Sequence, residues 1–119
     1  MKIAVTAREP HPTAPVDERF GRAYWLLVYD PWTGAWDSID NTGPRNAVQG
    51  AGIKAAQSIA DQGVDVLLTG VTGPKAFHAL QTAGIEVFHG ASGTAESAVS
   101  NWSEGRLERA NSDSAIGRP

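Results

Sequence analysis

The residues with chemistry to offer are cations set among glycines. The stretch "TGVTGPKAF" places Gly70, Val71, Thr72 and Gly73 directly before Pro74 and Lys75. Proline is favoured at a first helical position, where its missing N–H is not needed, so a glycine turn here opens a helix. The stretch "QGAGIKAA" repeats the theme, with Gly50 and Gly52 ahead of Lys54. A helix N-terminus presents unpaired backbone N–H groups and the positive end of a dipole. Two such termini suit a small, multiply charged anion. In that reading the amides of residues 49–52 and 70–75 donate hydrogen bonds. Arg8, Arg22, Arg45 and Lys75 supply charge, Val71 an apolar wall, and His89 a polar group at a strand end.

Each of these residues also has an ordinary reading. Gly70 and Gly73 serve equally as turn glycines. Lys75 sits in a first helical turn, where the dipole disfavours a cation, and that mild cost favours ligand contact. Arg22 can pair with Asp17 or Glu18, and Arg45 can be solvated in its loop. His78 reads as a surface histidine, and His11 as part of its loop. Phe20 and the tryptophans read as core or a dimer surface.

These residues need a frame to bring them together. "KIAVT", residues 2–6, reads as a first strand buried on both faces. A loop with Pro10, Pro12 and Pro15 follows. Residues 24–30 and 35–40 read as a hairpin around "DPWTG", with Gly34 at a positive-φ position. Trp25, Trp32 and Trp36 gather at this hairpin. A second glycine loop, 41–52, opens a helix to about residue 62, with Ile53, Ala56, Ile59 and Ala60 on one face. Then come a strand at 65–69, a helix at 74–82, a strand at 85–88 and a helix at 94–103. Residues 106–119 read as a polar tail outside the single domain of residues 1–105.

This order predicts a three-layer α/β domain with a mixed, roughly five-stranded sheet and helices on both faces. The hairpin strand at 24–30 is expected to be its one antiparallel member. Ligands in such sheets bind beyond the carboxyl ends of the parallel strands. Loops 7–22, 41–52, 70–75 and 89–93 meet there. They carry or adjoin Arg8, Arg19, Arg22, Arg45, Lys54, Lys75, His11, His78 and His89, together with Glu9, Asp17, Glu18 and Asp40.

The 119 residues are 41% hydrophobic and 19% charged, with a formal net charge of −3 and no cysteine. That balance argues against nucleic acid gathered by bulk charge. Without cysteine there is no disulfide, no thiolate-ligated zinc and no cysteine-bound iron–sulfur cluster. No apolar run is long enough for a bilayer, and "KIAVT" is too short for a signal-peptide core. The expectation is a cytoplasmic protein with no membrane partner.

Sharper motifs fail. The phosphate-loop pattern Gly-x-x-x-x-Gly-Lys-Ser/Thr is absent. "GAGIKA" fits Gly-x-Gly-x-x-Ala formally, but no acid follows at a strand end to hold a ribose. There is no Gly-x-Ser-x-Gly elbow, no acid on the first strand and no histidine pair at metal-ligand spacing.

"DERFGRAYWLLVYD" (residues 17–30) and "QGAGIKAAQSIADQGVDVLLTGVTGPKAFHALQTAGIEVF" (residues 49–88), in this order, resemble the dinitrogenase iron–molybdenum cofactor biosynthesis family. The resemblance covers most of residues 1–105. It implies a three-layer ribonuclease-H-like fold. It also implies a non-enzymatic carrier of a molybdenum–copper sulfide cluster, two thiomolybdate units bridged by copper, held without covalent bonds. The partners would then be that cluster, or thiomolybdate and copper. A second reading is a nucleotide- or phosphate-binding regulatory module working with a partner ATPase of the MinD/Mrp type. A hydrolase ranks last, since no nucleophile–base pair is evident.

Overall fold

A computed structural model describes residues 1–111. The chain runs through β1 (Ile3–Ala7), a 3-10 turn (Phe20–Arg22), β2 (Trp25–Asp30), β3 (Ala35–Asp40) and α1 (Thr42–Arg45). It continues with α2 (Ala51–Asp61), β4 (Val66–Leu68), α3 (Pro74–Thr82), β5 (Glu86–His89), α4 (Ala95–Ser103) and β6 (Glu108–Arg109). The strands form one mixed sheet in the order β3-β2-β1-β4-β5-β6. β1 is parallel to β4 and β4 to β5, while β2 runs antiparallel to both β1 and β3.

The alternation of side chains along the strands builds two cores. Ala4, Leu26, Val28, Leu67 and Val87 face α2 and α3, where Phe20, Ile59, Phe77 and Leu80 meet them. Ile3, Val5, Leu27, Val66 and Leu68 face the other way, against Ala95 and Ala98 of α4 and Ala14 and Val16 of the proline loop. The proline loop is held as a strap. Arg8 N–H donates to the Pro15 carbonyl at 3.0 Å, and Val16 N–H to that of Gly93 at 2.8 Å.

Among the described residues the sheet has six strands rather than about five, and two of them run against the parallel set. The additional strand is β6, which pairs antiparallel with β5 through Phe88↔Arg109 and His89↔Glu108. The sequence places these residues in the polar tail because Glu108 and Arg109 are both exposed. Backbone pairing holds them, not an apolar pattern, and Ala110 N–H extends it to the Val87 carbonyl at 2.8 Å. The rest of the tail, residues 112–119, lies outside the described residues.

Two local readings are corrected. The glycine loop before α2 contains a short helix, α1. Its start is fixed by the Asp40 carboxylate, which accepts from the Thr42 backbone N–H at 2.8 Å and from the Thr42 hydroxyl. Those bonds hold the Asp40 carboxyl below its ordinary pKa of 3.8. The buried face of α2 is Ala51, Ala55, Ala56 and Ile59 rather than one containing Ile53. Ile53 is 46% exposed. The first turn of α2 presses so closely on α3 that only small residues fit between them.

The tryptophans divide. Trp25 and Trp36 are half-buried over the second core, and Trp36 packs on Tyr29 with ring centroids 4.7 Å apart. Trp32, at the hairpin tip, is 85% exposed. Among the described residues no helix is long and apolar enough to cross a membrane.

Candidate functional site

The carboxyl ends of β1, β4 and β5 open to one edge of the sheet, and the loops there are tied to one another. Thr6 and Thr69 are fully buried, and their hydroxyls lie 2.8 Å apart across β1 and β4. The Thr6 hydroxyl also donates to the Asp17 carbonyl at 2.6 Å, which fixes the loop after β1. One residue further on, Val71 N–H donates to the Glu18 carbonyl at 2.8 Å, and Phe20 N–H returns to the Val71 carbonyl at 3.1 Å. A β-carbon on Gly70 would lie 2.8 Å from the Glu18 Cα, so this crossing requires glycine.

The crossing lays residues 19–22 over the starts of α2 and α3. A β-carbon on Gly21 would lie 2.7 Å from the Gly52 nitrogen, and one on Gly52 would lie 2.7 Å from the Ala76 Cβ. These three small residues form a stack through which the two helix N-termini approach. The termini differ from that of α4. There Thr94 and Ser97 form a reciprocal capping box, each side chain bonding the other's backbone N–H. Neither α2 nor α3 has a side-chain cap, and each is preceded by a positive-φ glycine, Gly50 at 74° and Gly73 at 86°. Their first ladder bonds are Lys54 N–H to the Gly50 carbonyl and Phe77 N–H to that of Gly73. The amides of Ala51, Gly52, Ile53, Lys75 and Ala76 precede those bonds, and no acceptor meets them among the described residues.

Between these elements lies a cleft of about 440 Å³. Among the described residues its lining includes three cations, Arg19, Arg22 and Lys75, and no carboxylate. Phe20, Ile53 and Val71 provide apolar wall. In a chain of net charge −3 this is a marked local inversion of sign. Two uncapped dipole ends add to it.

Of the residues singled out in the sequence, Arg22, Gly50, Gly52, Val71, Thr72, Gly73 and Lys75 line the cleft. Gly70 lies beneath it, at the loop crossing. Arg8 is exposed on the strap and is not part of the lining. Arg45 is also outside the lining. Its guanidinium lies 3.8 Å above the centre of the Tyr24 ring, and its Nε is buried with no hydrogen-bond partner among the described residues. Arg22 does not pair with Asp17 or Glu18. Its Nη1 donates to the carbonyls of Arg45 at 2.6 Å and Ala47 at 3.0 Å, which holds the segment after α1 against the cleft. The Asp17 carboxylate instead accepts from Tyr24 N–H at 3.3 Å.

His89 is set behind the lining, with its Nε2 3.0 Å from the Thr72 hydroxyl. Burial lowers its pKa below 6.5, and the Glu108 carboxylate partly opposes this. Arg19, Phe20, Gly21, Ala51, Ile53, Pro74 and Ala76 complete the lining and are not among the site residues expected from the sequence. Arg19 and Gly21 sit within "RFGR", where their contiguity with Arg22 is the available signal. Ile53 fits the helical period of the apolar face of α2, which hides its place at the cleft.

The profile of the dinitrogenase iron–molybdenum cofactor family matches residues 1–105. The apo form of the orange protein from Desulfovibrio gigas is 45% identical and superposes with a TM-score of 0.89, covering 92% of each chain. A Thermotoga protein solved by NMR is 32% identical with a TM-score of 0.81, covering 91% of each chain. An uncharacterised protein of Methanocaldococcus jannaschii is 29% identical over 112 residues, 92% of this chain and 91% of its own length.

Proposed function

The chain belongs to the dinitrogenase iron–molybdenum cofactor family, and from that premise we propose that it is a non-enzymatic carrier of a molybdenum–copper sulfide cluster. The cluster is an anion of two thiomolybdate units bridged by copper, seated without covalent bonds in the cleft between residues 19–22, α2 and α3. The observation that carries this reading is the donor set: three cations, two open helix N-termini and, among the described residues, no carboxylate.

The donor set fits a cluster that brings its own sulfides. The chain has no cysteine, and the lining has no histidine. Among the described residues no group of three or more His, Asp or Glu could hold a bare metal ion. What the cleft offers is hydrogen-bond donors and positive charge. Sulfide is a large, diffuse acceptor. Several amides of α2 and α3, with Lys75, Arg19 and Arg22 around them, suit it better than one forked contact. Phe20, Ile53 and Val71 reduce the local dielectric and strengthen those contacts.

The reading is tested by mixing the metal-free protein with tetrathiomolybdate and copper, followed by gel filtration. The expected result is a visible charge-transfer band with molybdenum and copper co-eluting with the protein. A colourless protein fraction without metal overturns it. Thermal shifts with ATP, GTP and phosphate in parallel identify a nucleotide- or phosphate-binding module, should those ligands stabilise the protein where thiomolybdate does not.

A further inference from the structure

The contact between Thr72 and His89 plays no part in the carrier reading, which rests on amides and cations. Thr72 lines the cleft, whereas His89, at the end of β5, does not. The Thr72 Oγ1 and His89 Nε2 are 3.0 Å apart, and both residues are half-buried. A hydroxyl carries one proton and a neutral imidazole one N–H, so this hydrogen bond can run in either direction. With Nε2 bare, Thr72 donates to the ring and only oxygen lone pairs remain for the cleft. With Nε2 protonated, Thr72 accepts, and its own proton is free to turn outward. An anion is served only by the second arrangement.

The surroundings leave that choice open. Among the described residues no group hydrogen-bonds the Nδ1 of His89, so no second partner fixes the tautomer. The charged and titratable groups on the adjoining elements include Glu108, opposite His89 on β6, its neighbour Arg109, which reaches the Glu86 carboxylate at 3.6 Å, and Lys75 and His78 on α3, which packs against β5. Burial favours the neutral ring. A neutral ring can move its proton between nitrogens at little cost, so a bound anion can select the form that serves it.

We propose that His89 is a positioning residue for the cleft: its Nε2–H donates to the Thr72 hydroxyl oxygen and so turns the hydroxyl proton toward a bound thiometallate or other tetrahedral metal anion. This rests on the carrier reading and adds a neutral side-chain donor to it. It assigns Thr72 the contact and His89 the direction of that contact.

The experiment measures binding of tetrathiomolybdate alone by equilibrium dialysis, for the wild type, Thr72→Val, His89→Asn, His89→Gln and the double variant Thr72→Val/His89→Asn. Thr72→Val keeps the shape and removes the hydroxyl. His89→Gln retains an N–H donor near the Nε2 position, and His89→Asn does not. Thr72→Val and His89→Asn should each weaken binding about tenfold, the scale of one hydrogen bond to a charged group. His89→Gln should recover most of the loss, and the double variant should bind no worse than either single one. Losses that multiply, or His89→Gln as weak as His89→Asn, overturn the proposal while leaving the carrier reading intact. A second arm needs no ligand. The imidazole nitrogen resonances of the free protein should shift at Nε2 in Thr72→Val, and an unchanged Nε2 overturns the dyad itself. Wild-type protein that binds no thiomolybdate overturns the carrier reading, a result the ligand-free arm keeps separate.

Discussion

The cleft and the β2–β3 hairpin divide the molecule's charge between them. Residues 24–41 contain Asp30, Asp37 and Asp40 and no lysine or arginine, which equals the formal net charge of −3 of the whole chain. Among the described residues the cleft has three cations and no carboxylate. The two regions are also held together differently. The hairpin rests on side chains and a complete ladder: six residue pairs in unbroken register and a ring contact between Tyr29 and Trp36. The cleft rests on missing side chains, where Gly21, Gly52 and Ala76 let three backbone segments meet. The hairpin is built by what its residues bring, and the cleft by what they leave out.

Glycine substitution acts on this difference most directly. Gly52 is in a helical turn, so alanine there would gain about 0.5–1 kcal/mol of helix propensity. Its new methyl would lie 2.7 Å from the Ala76 Cβ, on a neighbouring helix with no flexible end to move aside. Overpacking of this kind costs about 1–3 kcal/mol, so the clash wins. Gly52→Ala should lower the melting temperature by about 4–8 °C per kcal/mol lost and abolish thiomolybdate binding. Gly34 in the hairpin turn is the control. It has a φ of +76° and open space around it, so alanine there pays only for a left-handed backbone, about 1 kcal/mol. Gly34→Ala should melt slightly lower and bind thiomolybdate as the wild type does. Equal binding in both variants would mean that the helix approach does not make the site.

The same contrast explains what could be read from the sequence. The hairpin, the α3 limits and the parallel core were legible because alternation, turn residues and a proline at a first helical position each report locally. The cation-rich loops could be assigned to one sheet edge because parallel strands fix where their ends lie. The close approach of Gly21 to Gly52 was not legible. The two residues are far apart in sequence, and glycine in a turn has many ordinary uses. Ile53 misled for a related reason. Helical period finds an apolar stripe, but the contact with α3 selects small residues and turns Ile53 to the cleft mouth. β6 was hidden because two exposed residues held by backbone pairing have no side-chain pattern.

Charge substitution separates the two regions at a smaller scale. Lys75→Gln removes a cation from the lining and should weaken thiomolybdate binding about tenfold, with a shallower salt dependence. Asp37→Asn changes the chain's charge by the same amount on the exposed hairpin, where no hydrogen bond or ion pair involves its carboxylate among the described residues. Its field is screened over about 10 Å at ordinary ionic strength, so binding should stay within about twofold of wild type. Isothermal titration at two salt concentrations checks both. Matching losses in the two variants would show that net charge, not the cleft, gathers the anion.

The finest distinction is in acid. Each region has a group whose folded-state pKa is depressed, but the two act in different windows. Burial lowers that of His89, behind the cleft, so the unfolded chain takes up this proton more readily than the folded one. The resulting stability is fully present above 6.5, the ordinary histidine value, and is lost as pH falls through the lower folded value. The Thr42 hydroxyl and backbone N–H lower that of Asp40, at the end of the hairpin, so its contribution is present above 3.8 and lost below it. Melting temperature should therefore fall in two steps on acidification. His89→Asn should flatten the upper step and leave the lower one, and Asp40→Asn the reverse. Circular-dichroism melts between pH 8 and pH 3 (roughly the span from above one histidine pKa to below one carboxylate pKa) resolve the two. A single step unaffected by His89→Asn would show that the residue behind the cleft is not energetically distinct from the rest of the surface. Its link to Thr72 would then carry no stability.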